Sequence, residues 1–292
     1  MQILKLILIG IGLLTLVFVP LIIWRSAKSD SASYSGYNLV WGDEFNGQYL
    51  NTSHWAYDIG CDGWGNNEQE CYTDDRKENV RLENGKLIIQ ARVEHFNDNQ
   101  FTSGRIKTKI GWKYGRFEAK ARLPVGLKLW PAIWMLPIKN TYGIWAASGE
   151  IDILEARGND PTSIYGSIHY GGEWPNNTVS GSGNKKILNT DFSKDFHVFG
   201  IDWTPEAILW TVDSIKFHEE NIDKMMWKGK GKNPYDKNGQ PFDQPFHFVV
   251  NLAVGGNFFG SEPYIKPETA LESWTKPTLE LDYIRVYQLK TE

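Results

Sequence analysis

The sequence predicts an all-β sandwich preceded by one N-terminal hydrophobic helix. Three observations carry that expectation. From about Gly36 onward, short β-prone runs follow one another at fairly regular spacing; Gly, Pro, Asn and Asp punctuate them; and no comparable helical segment interrupts them. The 292 residues suit one large all-β domain or two ordinary ones. With no internal repeat and no break in composition after the first stretch, a single domain over 37–292 is the economical reading.

The elements follow in chain order. Leu6 to Trp24 is an almost unbroken apolar run, long enough to cross a hydrocarbon layer of about 30 Å at about 1.5 Å per residue. Residues 1–25 therefore read as a transmembrane anchor or a signal segment, and a buried core helix is the third possibility. The run is long for a cleaved signal, and its flanks, Lys5 on one side and Arg25 and Lys28 on the other, nearly balance. Either main reading sends the rest of the chain out of the cytoplasm, to be membrane-anchored or secreted. Residues 26–36, small and polar without periodicity, read as a linker. Val80–Val93 contains two extended runs around Asn84-Gly85, the dipeptide favoured in type I′ hairpins. Phe117–Leu123 alternates Phe117, Ala119, Ala121 and Leu123 with Glu118, Lys120 and Arg122, the period of a half-buried strand. Further short runs lie at Ala132–Leu136, Glu150–Glu155, Ile164–Tyr170, His197–Asp202, Ile208–Val212, Phe246–Leu252 and Leu279–Leu289. Between them, Asn221–Gly239 is a basic, polar stretch that either rims a cleft or is simply solvated, and its charge favours the second.

Charge and composition narrow the function. A net charge of -4, with 31 basic and 35 acidic residues spread along the chain, offers no basic stripe to track phosphates, so nucleic acid is not an expected partner. The 13 Trp, 13 Tyr and 14 Phe exceed what a core of this size needs, and some should line a surface. Cys61 and Cys71 are the two cysteines; in an exported protein such a pair can close a loop, and two independent small hydrophobes are the alternative.

The strongest chemical signal is Ser148–Gly158, SGEIDILEARG, with three acids within six residues of a β-prone run. Side chains two apart share a face of a strand, so Glu150 and Asp152 point one way while Ile151 and Ile153 point into the sandwich. Glu155 is then out of phase, and a β-bulge near Leu154 would return it to the face of the other two. Three acids on one face repel one another and make a poor structural choice without a task. A solvated outer face is the bland alternative, but Trp130, Trp134, Trp145 and Trp174 close by in sequence speak against it. Indole faces stack on the C–H faces of pyranose rings, and Asn66, Glu68, Arg105 and His169 could bond the hydroxyls. A histidine satisfied on a strand explains His169 about as well.

The order Glu-Ile-Asp-Ile-Leu-Glu resembles the signature of glycoside hydrolase family 16, and the neighbouring text looks like its laminarinase (endo-β-1,3-glucanase) branch. The matching stretches include WGDEFNG (Trp41–Gly47), GWGNNEQE (Gly63–Glu70), YGRFEAKARLP (Tyr114–Pro124), LWPAIWMLP (Leu129–Pro137), YGSIHYGG (Tyr165–Gly172) and NLAVGGNFFG (Asn251–Gly260). Together with SGRIKTK (Ser103–Lys109), FHVFGIDWTPE (Phe196–Glu206) and LDYIRVYQ (Leu281–Gln288) they cover nearly all of the chain after the linker. Ala146 stands where relatives commonly carry proline, and Cys71 where tyrosine is common.

That resemblance implies a β-jelly-roll sandwich of the concanavalin A-like kind, with a concave substrate cleft and retaining hydrolysis of β-1,3-glucan. Glu150 would be the nucleophile, Glu155 the acid/base with a raised pKa, and Asp152 their modulator. Trp134 and Trp145 would hold sugars on the non-reducing side, Asn66 and Arg105 would bond hydroxyls, and His169 would lie near the leaving group. Glu44, the Gly85 carbonyl and Asp282 match a structural Ca²⁺ site of the branch. No cofactor or catalytic metal is expected, since HExxH and clustered His or Cys ligands are absent. A monomer acting on polysaccharide is the expected working form, with the membrane as a partner if the first segment stays uncleaved. Mixed-linkage β-glucan, a galactan, transglycosylation, or glucan binding without turnover are the alternatives.

Overall fold

The computed structural model describes residues 34–187, 190–229 and 231–290. The expected N-terminal helix, 1–25, and most of the linker lie outside the described residues. Among the described residues, no helix is long and apolar enough to cross a membrane.

In chain order the strands are β1 (Tyr37–Asp43), β2 (Trp55–Tyr57), β3 (Glu70–Tyr72), β4 (Val80–Leu82), β5 (Leu87–Gln90), β6 (Arg92–Phe96), β7 (Asn99–Ser103), β8 (Arg105–Thr108), β9 (Gly115–Arg122) and β10 (Leu129–Pro137). They continue with β11 (Glu150–Arg157), β12 (Asp160–Tyr170), β13 (Thr178–Gly181), β14 (Lys185–Lys186), β15 (His197–Trp203), β16 (Ala207–Val212), β17 (Ile215–Asn221), β18 (Phe246–Val254) and β19 (Thr278–Leu289). One sheet runs β17-β16-β15-β9-β19-β5-β4, with β1 also on β19. The other runs β13-β12-β11-β10-β18-β8-β2, with β14 also on β12, and β3-β7-β6 form a small third sheet.

Local sequence explains the elements that it announces. Asn84 and Gly85 both take positive φ, 53° and 69°, and Glu83 and Lys86 exchange backbone hydrogen bonds of 2.9 and 3.1 Å, closing the β4–β5 hairpin. Phe117, Ala119 and Ala121 of β9 are fully buried against the facing sheet, where Ile133, Ile151, Ile168, Phe248 and Val250 form the other half of the core. Burying each large aliphatic or aromatic side chain contributes about 1.5–3 kcal/mol, which sets the strand phases.

Three features depart from the sequence reading. Glu118, expected to alternate outward, is fully buried, with Arg116 Nε 3.1 Å from its carboxylate. A short helix, α1 (Pro267–Ser273), starts with Pro at its first turn and buries Ala270; at seven residues it is too short to show a period. The 221–239 stretch is not simply solvated: Ile222, Met226 and Tyr235 are buried. Its apolar anchors are irregularly spaced among lysines, so charge dominates the pattern while packing decides the structure.

Candidate active site

The bulge expected near Leu154 is present in β11. On the β10 side Trp134 pairs with Asp152 and Ile133 with Leu154; on the β12 side Asp152 pairs with Ser167 and Glu155 with Tyr165. Ile153 and Leu154 are both buried, so one extra residue is absorbed on the core side and Glu155 returns to the phase of Glu150 and Asp152. Beside the bulge, Trp210 from β16 in the opposite sheet donates its Nε1–H to the Asp152 carbonyl at 2.7 Å. Gly166, opposite the bulge, makes room for it: a Cβ there would lie 2.4 Å from the Trp210 ring.

Each acid has its own partner. Trp145 donates its indole N–H to Glu150 Oε2 at 2.7 Å, Ser167 Oγ lies 2.5 Å from Asp152 Oδ2, and Trp130 donates to Glu155 Oε1 at 3.0 Å. His169 Nε2 stands 3.3 Å from Asp152 Oδ2 and 3.7 Å from Glu150 Oε1. Burial, reinforced by the negative charge of Asp152, pushes both Glu150 and Glu155 up to about 8. Burial would pull His169 down, but its hydrogen bond to Asp152 and the charge of Glu150 outweigh that and raise it to about 9. The cluster therefore keeps a proton near neutrality and holds His169 as a cation.

The remaining sequence-predicted residues gather around these acids. Trp134 donates to Asn251 Oδ1 at 2.7 Å, and the Arg105 guanidinium lies over both Trp134 and Trp64, 4.8 and 4.3 Å from their ring centroids. Asp58 fixes Arg105 through Nε at 3.1 Å. Asn66 donates to Glu68, whose other oxygen accepts from Tyr72; Tyr72 in turn accepts from Asn251. Trp145 packs between His169 and Trp174, and Trp174 is 70% exposed, free to meet a ligand. A groove of about 360 Å³ runs beside them, lined among others by Trp64, Arg105, Lys107, Asn140, Trp145 and His247. Burial, with Lys107 close by, lowers His247 to about 4, so a neutral imidazole faces the groove.

Sequence reasoning missed Trp64, Ser167, Trp210, Asn251 and Tyr235. Tyr235 donates its hydroxyl to the Ala147 carbonyl and accepts from the Gly171 N–H, both at 2.8 Å, tying the entry of β11 to the exit of β12. Trp64 had a visible signal in its Gly-Trp-Gly context, and it takes a left-handed backbone with φ 50° that is uncommon for a bulky residue. Ser167 and Asn251 lie within the matching stretches YGSIHYGG and NLAVGGNFFG without standing out there, and Trp210 and Tyr235 had no signal.

Cys61 and Cys71 are joined in a disulfide, which closes the loop carrying Trp64 and Asn66. The positions matched to a calcium site come to one corner: Asp43 pairs with Ile284 and Leu87 with Leu281, which brings the ends of β1 and of the β4–β5 turn to Asp282. Their acids are already neutralised there. Arg285 holds both oxygens of Glu44 at 2.8 Å, and Lys120 lies 2.8 Å from Asp282. The side chains thus do not offer a free set of oxygen ligands for Ca²⁺.

Glycosidic-bond cleavage by two carboxyls needs one of them to keep its proton at working pH, and it needs flat apolar walls for the sugar. This site meets both needs, which defines the chain as a glycoside hydrolase. The model of the glycosyl hydrolases family 16 matches residues 65–257, and the chain belongs to that family. It is 45% identical over 258 residues to a glucan endo-1,3-beta-glucosidase of Cryptopygus antarcticus, covering 87% of this chain and 93% of that one. Among solved structures it resembles the laminarinase of Rhodothermus marinus, with a TM-score of 0.75 and 40% identity over 87% of this chain and 98% of that one. It also resembles SCLam, a non-specific endo-beta-1,3(4)-glucanase, with a TM-score of 0.72 and 34% identity over 88% and 93%. The sandwich fold and the laminarinase-type resemblance read from the motifs are borne out.

Proposed function

We propose that this chain is a retaining endo-hydrolase of β-1,3-glucan, with Glu150 as nucleophile and Glu155 as acid/base. The observation that carries the reading is the bulge in β11, which sets both glutamates on one face while distributing their donors unequally. Glu150 has the Trp145 N–H and the His169 cation beside it, whereas Glu155 has the Trp130 N–H. The pair shares a proton near neutrality, and the reactive form is the one in which Glu155 holds it and Glu150 is ionised. In the first step Glu155 gives that proton to the departing glycosidic oxygen as the Glu150 carboxylate attacks the anomeric carbon. In the second, Glu155 takes a proton from water, whose oxygen displaces Glu150 and restores the original anomeric configuration. Asp152, held by Ser167 and His169, spreads the negative charge between the two steps.

Trp134, Trp145 and Trp174 serve as sugar platforms, with Asn66 and Arg105 bonding hydroxyls. Activity on mixed-linkage β-1,3-1,4-glucan is a second reading, favoured by the likeness to a non-specific endo-β-1,3(4)-glucanase. The apolar run at the N-terminus supports export of the enzyme, held at a membrane or released. Ca²⁺ at the Glu44, Gly85 and Asp282 corner would draw mainly on carbonyl oxygens, given the two ion pairs there.

Product analysis on laminarin, lichenan and agarose tests the reading. Short β-1,3-gluco-oligosaccharides released from laminarin, β-configured at first, are the expected result. Cleavage of agarose or lichenan with laminarin left intact would overturn the substrate, and an initially α-configured product would overturn the retaining mechanism.

A further inference from the structure

We propose that Phe258 is a positioning residue for the acid/base carboxyl, its ring fixing the Trp130 indole in the orientation that donates to Glu155. The inference rests on the functional reading above and adds to it a residue outside the acidic strand. Trp130 and Phe258 stack face to face, with centroids 4.8 Å apart and planes 14° from parallel. One indole face is thereby withdrawn from sugar, while the indole N–H points at Glu155 Oε1 from 3.0 Å. Trp130 is thus a holder of the acid/base more than the open platform its place in the sequence suggests.

Phe258 is itself held by the strand it serves. Arg157, two residues beyond Glu155 on β11, donates to the Phe258 carbonyl at 2.7 Å and lays its guanidinium 4.7 Å from the Phe258 ring centroid. Tyr165, the β12 partner of Glu155, meets the same ring edge-on at 5.2 Å. The turn Asn257–Phe259 is also tied to the loop carrying Asn66, where the Asn257 N–H donates to the Asn66 carbonyl at 2.7 Å and Asn67 donates to Asn257 Oδ1 at 2.8 Å. The result is a closed circuit, Glu155 to Arg157 to Phe258 to Trp130 and back to Glu155. An indole on a groove wall has free rotamers that point its N–H elsewhere; parallel stacking on a fixed ring removes them.

Burial raises the Glu155 carboxyl, and the Trp130 N–H opposes that rise by stabilising the carboxylate. Loss of the N–H contact therefore moves the Glu155 pKa further up, and with it the alkaline limb of the pH–rate profile. The test compares Phe258→Ala, Phe258→Tyr, Trp130→Phe and the Phe258→Ala/Trp130→Phe double variant on laminarin. Phe258→Ala should lower kcat about tenfold, leave KM within about twofold, and move the alkaline limb up by about half a pH unit or more. Trp130→Phe should move the limb equally, the double variant no further, and Phe258→Tyr, which keeps the stack, should behave like the native protein. A change confined to KM with the limb unmoved, or limb shifts that add in the double variant, would overturn the proposal. Crystal structures of the native and Phe258→Ala proteins decide it without any assay: the Trp130–Glu155 contact should open, and its survival at about 3 Å, still within hydrogen-bond reach, would refute the clamp. A native protein inactive on every glucan would instead sink the functional reading, with the crystallographic comparison still ruling on the clamp.

Discussion

The two sheets treat their acids in opposite ways. On the sheet built around β9 and β19, carboxylates sit against cations: Glu118 and Asp202 on Arg116, Glu280 on Arg122 and Lys276, Asp282 on Lys120, and Glu44 on Arg285. Burial alone would raise Glu280, but Arg122 and Lys276 outweigh it and hold its carboxyl below the ordinary range. On β11, three acids converge, and among the described residues the only cation at ion-pair distance from Glu150 and Asp152 is His169. A carboxylate oxygen of Glu150, one of Asp152 and a ring nitrogen of His169 lie within 4.8 Å of one another. The same residue types are neutralised where they serve the fold and left in mutual repulsion where a proton must be kept for chemistry.

Substitutions that touch only one side of this contrast should separate activity from stability. Glu155→Gln removes the proton donor and should lower kcat on laminarin by about 10²–10⁴-fold, and Glu150→Gln at least as much, both in proteins that unfold cooperatively. Retention of most activity in either would break the comparison at its base. On the other sheet, Arg116→Met removes the guanidinium that faces the buried Glu118 and should cost about 3–5 kcal/mol in urea unfolding, with kcat per folded molecule unchanged.

A smaller effect of opposite sign should follow at the site itself. Glu150 has a folded pKa of about 8 against an ordinary value of 4.5, so the folded state binds more protons between those pH values. Its contribution to stability is therefore lost as pH rises through that window, and Glu150→Gln should gain on the order of 1 kcal/mol at pH 8, about 2–4 °C in Tm, and nothing at pH 4. His169 runs in parallel for a different reason. Its pKa is raised from 6.5 to about 9, so its stabilisation is fully present below pH 6.5 and is lost as pH rises through 9. A His169→Gln variant should accordingly lose stability at pH 6 and match the native protein near pH 10. Smallest of all should be the response to calcium: with Glu44 and Asp282 already paired, adding Ca²⁺ and then chelating it should move Tm by no more than about 2 °C. A larger loss on chelation would show that the carbonyls of that corner bind the ion without the carboxylates.

Much of this was legible in the sequence because the forces involved act over a few residues. Asn84-Gly85 specifies its own turn, the alternation of Phe117, Ala119 and Ala121 specifies a buried face, and the spacing of Glu150, Asp152 and Glu155 calls for a bulge before it is seen. Only the docked sheets decide what supports those acids. Trp210 reaches the Asp152 carbonyl from 58 positions away, Asn251 meets Trp134 across 117, and Phe258 meets Trp130 through a turn whose sequence announces no partner. Period and turn chemistry are written locally, in backbone preference and in which face seeks the core. Which indole fills a given gap, and which acid finds a cation, depends on how two sheets pack against each other, and no window of a few residues contains that information.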